Sequence, residues 1–230
     1  MPRKNSRSGR ARRPAEPRGA LIALRPEFEE RYIILHRNTF PGVLRQIRRS
    51  NVRDYSIFLL DGLLFSHFEY RGKDYDGDMK AMAADPTTVD WWKLTDPMQQ
   101  PLPDVPAGQW WTPAVLLARL CPAPRAGGRY TRVALKAQLL ADTEGRLREV
   151  LSRIPPAVLR AIAATGFRNV HLYLRGHELY LYADFAGKGM DRDALTLHRS
   201  APFSSWRGEI ERLLEPADNW RVMREVFHTA

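Results

Sequence analysis

Cysteine is almost missing from these 230 residues: Cys121 stands alone. One thiol cannot close an internal disulfide or build a thiolate metal cluster, and it suits a reducing compartment. Long apolar runs are missing as well. No stretch approaches the roughly 20 apolar residues that a bilayer-spanning helix needs. The N-terminus has no apolar segment of the kind a secretory signal carries, so a cytoplasmic location is expected. There is no HExxH, no Cys/His pair at metal-ligand spacing, no phosphate-binding loop and no GxGxxG, and the six histidines are scattered. The aromatic signatures of RNA-binding ferredoxin-like domains are absent from the strand that would carry them. Neither the serines nor Cys121 sit in a recognisable nucleophile setting. These absences leave acid–base chemistry without metal or cofactor, or simple binding.

What is present begins with charge. The net charge is +10, and +6 of it lies in residues 1–18, MPRKNSRSGRARRPAEPR. Arg3, Lys4, Arg7, Arg10, Arg12, Arg13 and Arg18 face only Glu16 there, with no large apolar residue beyond Met1. Such a segment cannot bury enough surface to order itself, so a disordered basic tail is expected. It reads either as a solubilising extension or as a patch for nucleic acid or a membrane surface. The plainer reading is preferred, with no membrane partner and nucleic acid not expected.

The rest of the chain repeats. With a shift of 115, residues 41–92 and 156–207 align without gaps, and thirteen of the 52 positions are identical. Unrelated sequences would share about three, so the pattern is an internal duplication. Upstream, ALIAL (20–24) matches ALKAQ (134–138) with a one-residue slip. The stretch CPAPRAGG (121–128) has linker composition. The expected organisation is a tail (1–18), a first repeat (19–120), a linker (121–129) and a second repeat (130–230).

Each repeat reads as a strand (19–24; 131–138), a helix (26–37; 141–153), a second helical piece (41–50; 156–165) and a hairpin (54–70; 169–185). A further helical region and a closing apolar run (114–120; 222–228) follow. Asp61-Gly62 suits a type I′ turn, and Gly176 a type II′ turn. This is the ferredoxin-like order, an α+β unit with helices on one face of an antiparallel sheet. The open sheet face needs cover, and two such sheets in one chain can cover each other. The expectation is two ferredoxin-like repeats packed sheet to sheet as an intrachain dimeric α/β barrel, with the chain a monomer.

Candidate chemistry gathers in the first repeat. Tyr32 and His36 are four residues apart in EFEERYIILH (27–36), which stacks them on one helical face. His36 lies near the end of that helix, where the dipole favours the imidazolium, so a pKa near neutrality is expected. In DYSIFLL (54–60), alternation puts Tyr55, Ile57 and Leu59 on one face and Ser56, Phe58 and Leu60 on the other. A turn at 61–62 pairs Ser56 with His67 and Tyr55 with Phe68. His67 then lies on the face away from Tyr55, as a buried strand histidine hydrogen-bonded to a serine. Trp91 and Trp92 are neighbours on a helix and point about 100° apart, so one apolar stripe cannot take both. Under the shift, Tyr32, His36, Tyr55 and Trp92 become Leu147, Leu151, Val170 and Arg207, whereas Trp91 persists as Trp206. Trp91 therefore reads mainly as a packing anchor and Trp92 as a ligand platform.

YIILHRNTFP, NVRDYSIFLLDGLLFSHFEY and MAADPTTVDWWKLTDPMQQPL resemble the L-rhamnose mutarotase family over residues 20–118. The resemblance implies a cofactor-independent isomerase that interconverts the α and β anomers of a deoxy-hexose. It places the proton donor on His36 and sugar contacts on Tyr32, Tyr55, Trp91 and Trp92. Where the family carries Trp-Pro-Glu after its histidine, this chain has Phe40-Pro41-Gly42. The second repeat reads as a degenerate structural partner. Two other readings stand beside the sugar mutarotase: a cyclase or tailoring enzyme for an aromatic metabolite on the same barrel, and a non-catalytic ligand- or nucleic-acid-binding protein.

Overall fold

The computed structural model describes residues 15–103, 105–106, 108–121, 129–216 and 219–230. Most of the basic tail and of the linker lies outside them. The first repeat runs β1 (Glu16–Leu24), α1 (Glu29–Arg37), α2 (Pro41–Arg49), β2 (Val52–Leu60), β3 (Leu63–Tyr70), α3 (Tyr75–Ala83), α4 (Pro86–Thr95), a two-residue β4 (Gln99–Gln100) and β5 (Thr112–Arg119). The second runs β6 (Tyr130–Gln138), α5 (Glu144–Ser152), α6 (Pro156–Ala163), β7 (Phe167–Arg175), β8 (Glu178–Ala186), α7 (Met190–Arg199), α8 (Ala201–Glu211) and β9 (Arg221–Thr229). β1 takes in Glu16–Arg18, three residues assigned from sequence to the tail; Arg18 pairs with Phe68 of β3.

Local chemistry sets these elements. Pro41 and Pro86 begin α2 and α4, where the missing N–H costs nothing. Asp74 and Asp85 cap α3 and α4 by accepting from the backbone N–H of Gly77 and Thr88. The β2–β3 turn has positive φ at both Asp61 and Gly62, as type I′ requires. The β7–β8 turn has it at Gly176 and not at His177, as type II′ requires. Asp54 and Asn169, at matching positions, take the left-handed conformation at matching register shifts in β2 and β7. Their short polar side chains tolerate that conformation.

The 115 shift holds throughout the sheets. Gly19 pairs with His67 and Ala134 with Tyr182, which makes Gly19 and Ala134 equivalent. The one-residue slip read from ALIAL and ALKAQ is therefore wrong. Strand register decides equivalence, and the likeness of the two short strings is incidental.

The strands close into a barrel in the order β3-β2-β9-β6-β8-β7-β5-β1, with β1 pairing back to β3. Each closing strand starts beside its own repeat and ends beside the other. β5 leaves β1 to pair with β7, and β9 leaves β6 to pair with β2. Closure pairs the edges that an open sheet would leave exposed. The interior holds Leu21, Phe58, Phe65, Tyr173, Tyr180 and Tyr182, all fully buried. A side chain at Gly19 would meet the Tyr173 ring at 2.9 Å, so glycine makes room for that tyrosine. The helices pack outside as two separate apolar clusters, one per repeat. No helix among the described residues is long and apolar enough to cross a membrane.

Candidate functional site

In the first repeat the space between helices and barrel contains a cavity of about 790 Å³. Tyr32, His36, Tyr55, Trp91 and Trp92, the five residues singled out in the sequence, all line it. The spacing on α1 turns Tyr32 and His36 inward, leaving them 0% and 8% exposed. Their rings stack at 3.9 Å. Trp91 is buried and packs edge-on against His36 at 5.3 Å and Phe40 at 5.2 Å. Trp92 is half-buried against the same cluster. Tyr55 packs against Phe68 at 5.7 Å and Phe227 at 5.5 Å.

The protonation of His36 differs from the sequence expectation. Burial lowers its pKa from 6.5 to about 4, against a smaller upward pull from its hydrogen bond to the Tyr32 carbonyl. Desolvation overrides the helix-end field because the ring sits inside an apolar wall and not in water. The hydrogen bond also fixes the tautomer. A carbonyl only accepts, so at 2.9 Å from the Tyr32 oxygen Nδ1 must carry the proton. Nε2 is left as a lone pair. Burial likewise raises the pKa values of Tyr32 and Tyr55, keeping both phenols protonated.

Several wall residues carry no mark in the sequence. Gln99 donates from Nε2 to the Tyr32 hydroxyl at 3.2 Å, and Trp110 donates from Nε1 to Gln99 Oε1 at 3.3 Å. The pairing of β4 with β1, Leu24 opposite Gln99, holds this residue in place. Asp96 adds a carboxyl whose pKa burial raises. Gln99 and Asp96 lie within the quoted WWKLTDPMQQPL, but nothing in their spacing distinguishes them. Phe227 comes from the second repeat on β9 and meets His36 at 5.6 Å. Phe68, Tyr75, Met79 and Met82 extend the wall, with Arg18 over the Tyr75 ring at 3.7 Å.

His67 does lie on the opposite face from Tyr55, inside the barrel, but its hydrogen-bond partner is not a serine. Its Nδ1 meets the Tyr173 hydroxyl at 2.9 Å, while Ser56 bonds instead to His228 at 3.0 Å. Pairing within one hairpin could not anticipate β7 and β9 arriving from the other repeat. At Gly42, an added Cβ would meet the Thr87 methyl at 2.6 Å, so any larger residue there requires Thr87 of α4 to shift. In the second repeat, Leu147, Leu151, Val170 and Trp206 belong to a packed apolar cluster. Among the described residues no group of three or more metal-ligating side chains converges.

Residues 18–116 match the family model described as L-rhamnose mutarotase, so the first repeat carries that family's sequence pattern. No curated protein matches the chain in sequence. Among solved structures, the chain is similar to a proposed monooxygenase from Lactobacillus acidophilus, with TM-score 0.59, 8% identity, and coverage of 93% of this chain and 96% of that one. A proposed monooxygenase from Fusobacterium nucleatum gives TM-score 0.57 at 10% identity, with 92% of each chain covered. At these identities the likeness shows the fold, and in both cases it spans the two repeats.

Proposed function

We infer, from a first repeat that carries the L-rhamnose mutarotase pattern, that the chain is a sugar isomerase interconverting the α and β anomers of L-rhamnose or a related deoxy-hexose. The observation that carries this reading is His36, its Nδ1 held by the Tyr32 carbonyl and its ring stacked on Tyr32 in an aromatic-walled cavity; burial favours the neutral ring, whose Nε2 is then free to accept. Ring opening moves the anomeric hydroxyl proton to Nε2 of His36. The C1–O5 bond breaks with its electron pair going to O5, which takes a proton from the Tyr32 hydroxyl, and C1 becomes a carbonyl. Rotation about C1–C2 exposes the other carbonyl face. Reclosure returns the O5 proton to Tyr32 while the His36 imidazolium donates to the new anomeric oxygen. His36 is thus base in the first half and proton donor in the second. Each positioned transfer contributes about 10²–10⁴-fold. Trp92 and Tyr55 cover the C–H faces of the sugar, and Asp96 offers a carboxyl to its hydroxyls in place of the family's glutamate. The active unit is a monomer, since the second repeat supplies the partner sheet.

The extent of the cavity favours one competing reading. Its volume exceeds what a single deoxy-hexose fills, and Phe68, Tyr75, Met79 and Met82 suit an aromatic metabolite acted on by a tailoring enzyme. Saturation-transfer NMR on a panel of deoxy-hexoses at anomeric equilibrium separates the two. Enhanced α/β exchange that disappears in His36→Ala supports the isomerase. Binding of polycyclic aromatics with no exchange for any sugar moves the assignment to the second reading.

A further inference from the structure

We propose that Trp110 and Gln99 are positioning residues that turn the proton of the Tyr32 hydroxyl into the cavity. An indole has an N–H donor and no acceptor. The Trp110 Nε1 lies 3.3 Å from the Gln99 side chain, so the atom facing it is the amide oxygen. That choice fixes the other end of the amide. The NH₂ group then faces Tyr32 at 3.2 Å and donates to the phenol oxygen. A hydroxyl that accepts from Gln99 keeps its own proton for another acceptor, and the cavity is where a ligand oxygen would stand. Tyr32 is fully buried and Gln99 nearly so, which shields this pair from competing water. The donor direction therefore runs one way, from Trp110 through Gln99 to Tyr32 and on to the ligand.

This inference rests on the isomerase reading for its consequence, because O5 needs a proton as the sugar ring opens. The test reverses the polarity while keeping the shape. In Gln99→Glu the carboxylate accepts from both neighbours, so Tyr32 must donate to it and its proton leaves the cavity. Protonation of that carboxyl restores a donor toward Tyr32. Gln99→Met removes the polarity without reversing it, and Trp110→Phe keeps an aromatic ring while freeing the amide to flip.

Two readouts are compared from about pH 8 to about pH 5, a range in which His36 stays neutral. Among the described residues, the cavity wall also carries the charged or titratable groups Glu16, Arg18, Tyr55, Tyr75 and Asp96, and Arg25 donates from Nε to the Gln99 carbonyl at 3.5 Å. A new carboxylate at position 99 would act on Asp96 as a like charge, so the comparison is repeated in an Asp96→Asn background, where the Gln99→Glu effect on Tyr32 should persist. The first readout is the tyrosine ¹³Cζ shift of Tyr32, assigned by its loss in Tyr32→Phe; it needs no substrate. Relative to wild type and Gln99→Met, it should move in Gln99→Glu at high pH and return as the pH falls. The second is sugar anomer exchange, which should be about tenfold slower in Gln99→Glu than in Gln99→Met at high pH and recover on acidification. Trp110→Phe should slow exchange with KM nearly unchanged. A Tyr32 shift in Gln99→Glu that follows wild type at every pH overturns the proposal. Absence of exchange in wild type would instead sink the isomerase reading, and the ¹³C titration would still decide the orientation.

Discussion

Acidification is the most direct perturbation of the site, because the neutral His36 ring is the group that starts the proposed chemistry. A solvent-exposed histidine with a pKa of about 6.5 would be about nine-tenths protonated at about pH 5.5. His36, lowered to about 4 by burial, remains almost wholly neutral there. The exchange rate should therefore stay level as the pH falls through about 6 and drop only near 4, once spontaneous anomerisation is subtracted. The same shift has a consequence for stability. Between about 6.5 and 4 the unfolded chain takes up a proton on this ring while the folded one does not, so stability is complete above about pH 6.5 and falls with pH below it. A shift of this size corresponds to about 3 kcal/mol. His67, His171 and His228 are also lowered by burial, the last two to about 3 and about 4, and act in the same direction. Asp184, raised to about 6 by burial, opposes them: its cost grows as the pH rises through 3.8 toward 6 and is relieved on acidification. Urea unfolding of wild type and His36→Asn over this pH range isolates the His36 share, and ¹³Cε1 NMR follows the ring itself. A His36 ring that titrates near its ordinary value would refute the desolvation argument and return the site to the helix-end expectation.

Three further outcomes are expected. Trp91→Ala and Trp206→Ala should each cost about 3–5 kcal/mol in chemical denaturation, since both rings are buried; Trp92→Ala should instead weaken ligand binding by titration calorimetry with much less loss of stability. Phe227→Ala, although in the second repeat, should raise the His36 pKa toward its ordinary value by admitting water and shift the acid limb of exchange upward; an unchanged limb would show that β9 does not dry the site. Residues 19–121 expressed alone should self-associate in sedimentation, because β2 and β5 lose their partners β9 and β7; a fully active monomer from that fragment would contradict the shared site.

Much of the architecture was legible because its signals are local. Alternation in β2 and β3, proline at the starts of α2 and α4, and Asp61-Gly62 at the turn specify elements without reference to distant residues. The duplication then offered a second reading of each element. Tyr32, His36, Tyr55 and Trp92, candidates through the family resemblance, disappear together from the second repeat, and all four line one cavity. What escaped depended on three-dimensional closure. The pKa of His36 follows from Trp91, Phe227 and Tyr32 closing around it, which a helix position alone does not reveal. The partner of His67 is a tyrosine of the other repeat, and Gln99 matters only because a two-residue strand aims it at Tyr32.

Fusion of the two repeats explains why the cavity belongs to the first. β9 delivers Phe227 opposite Ile57 in the first repeat, and β5 delivers Ala118 opposite Leu172 in the second. Ile57 and Leu172 are equivalent under the 115 shift, so Phe227 and Ala118 hold equivalent places on the exchanged strands. The large ring stands against His36 and Tyr55; the small residue stands in the cluster that holds Leu151 and Val170. Two identical subunits could not make this choice, because whatever strand one gave, it would also receive. A covalent link removes that constraint. One exchanged strand can carry the aromatic wall of a binding cavity while the other carries a residue small enough for leucines to pack in its place. The second repeat is therefore more than a cover for the open sheet. It lines the cavity of the first with Phe227, where the first repeat's own closing strand carries Ala118 at the equivalent place.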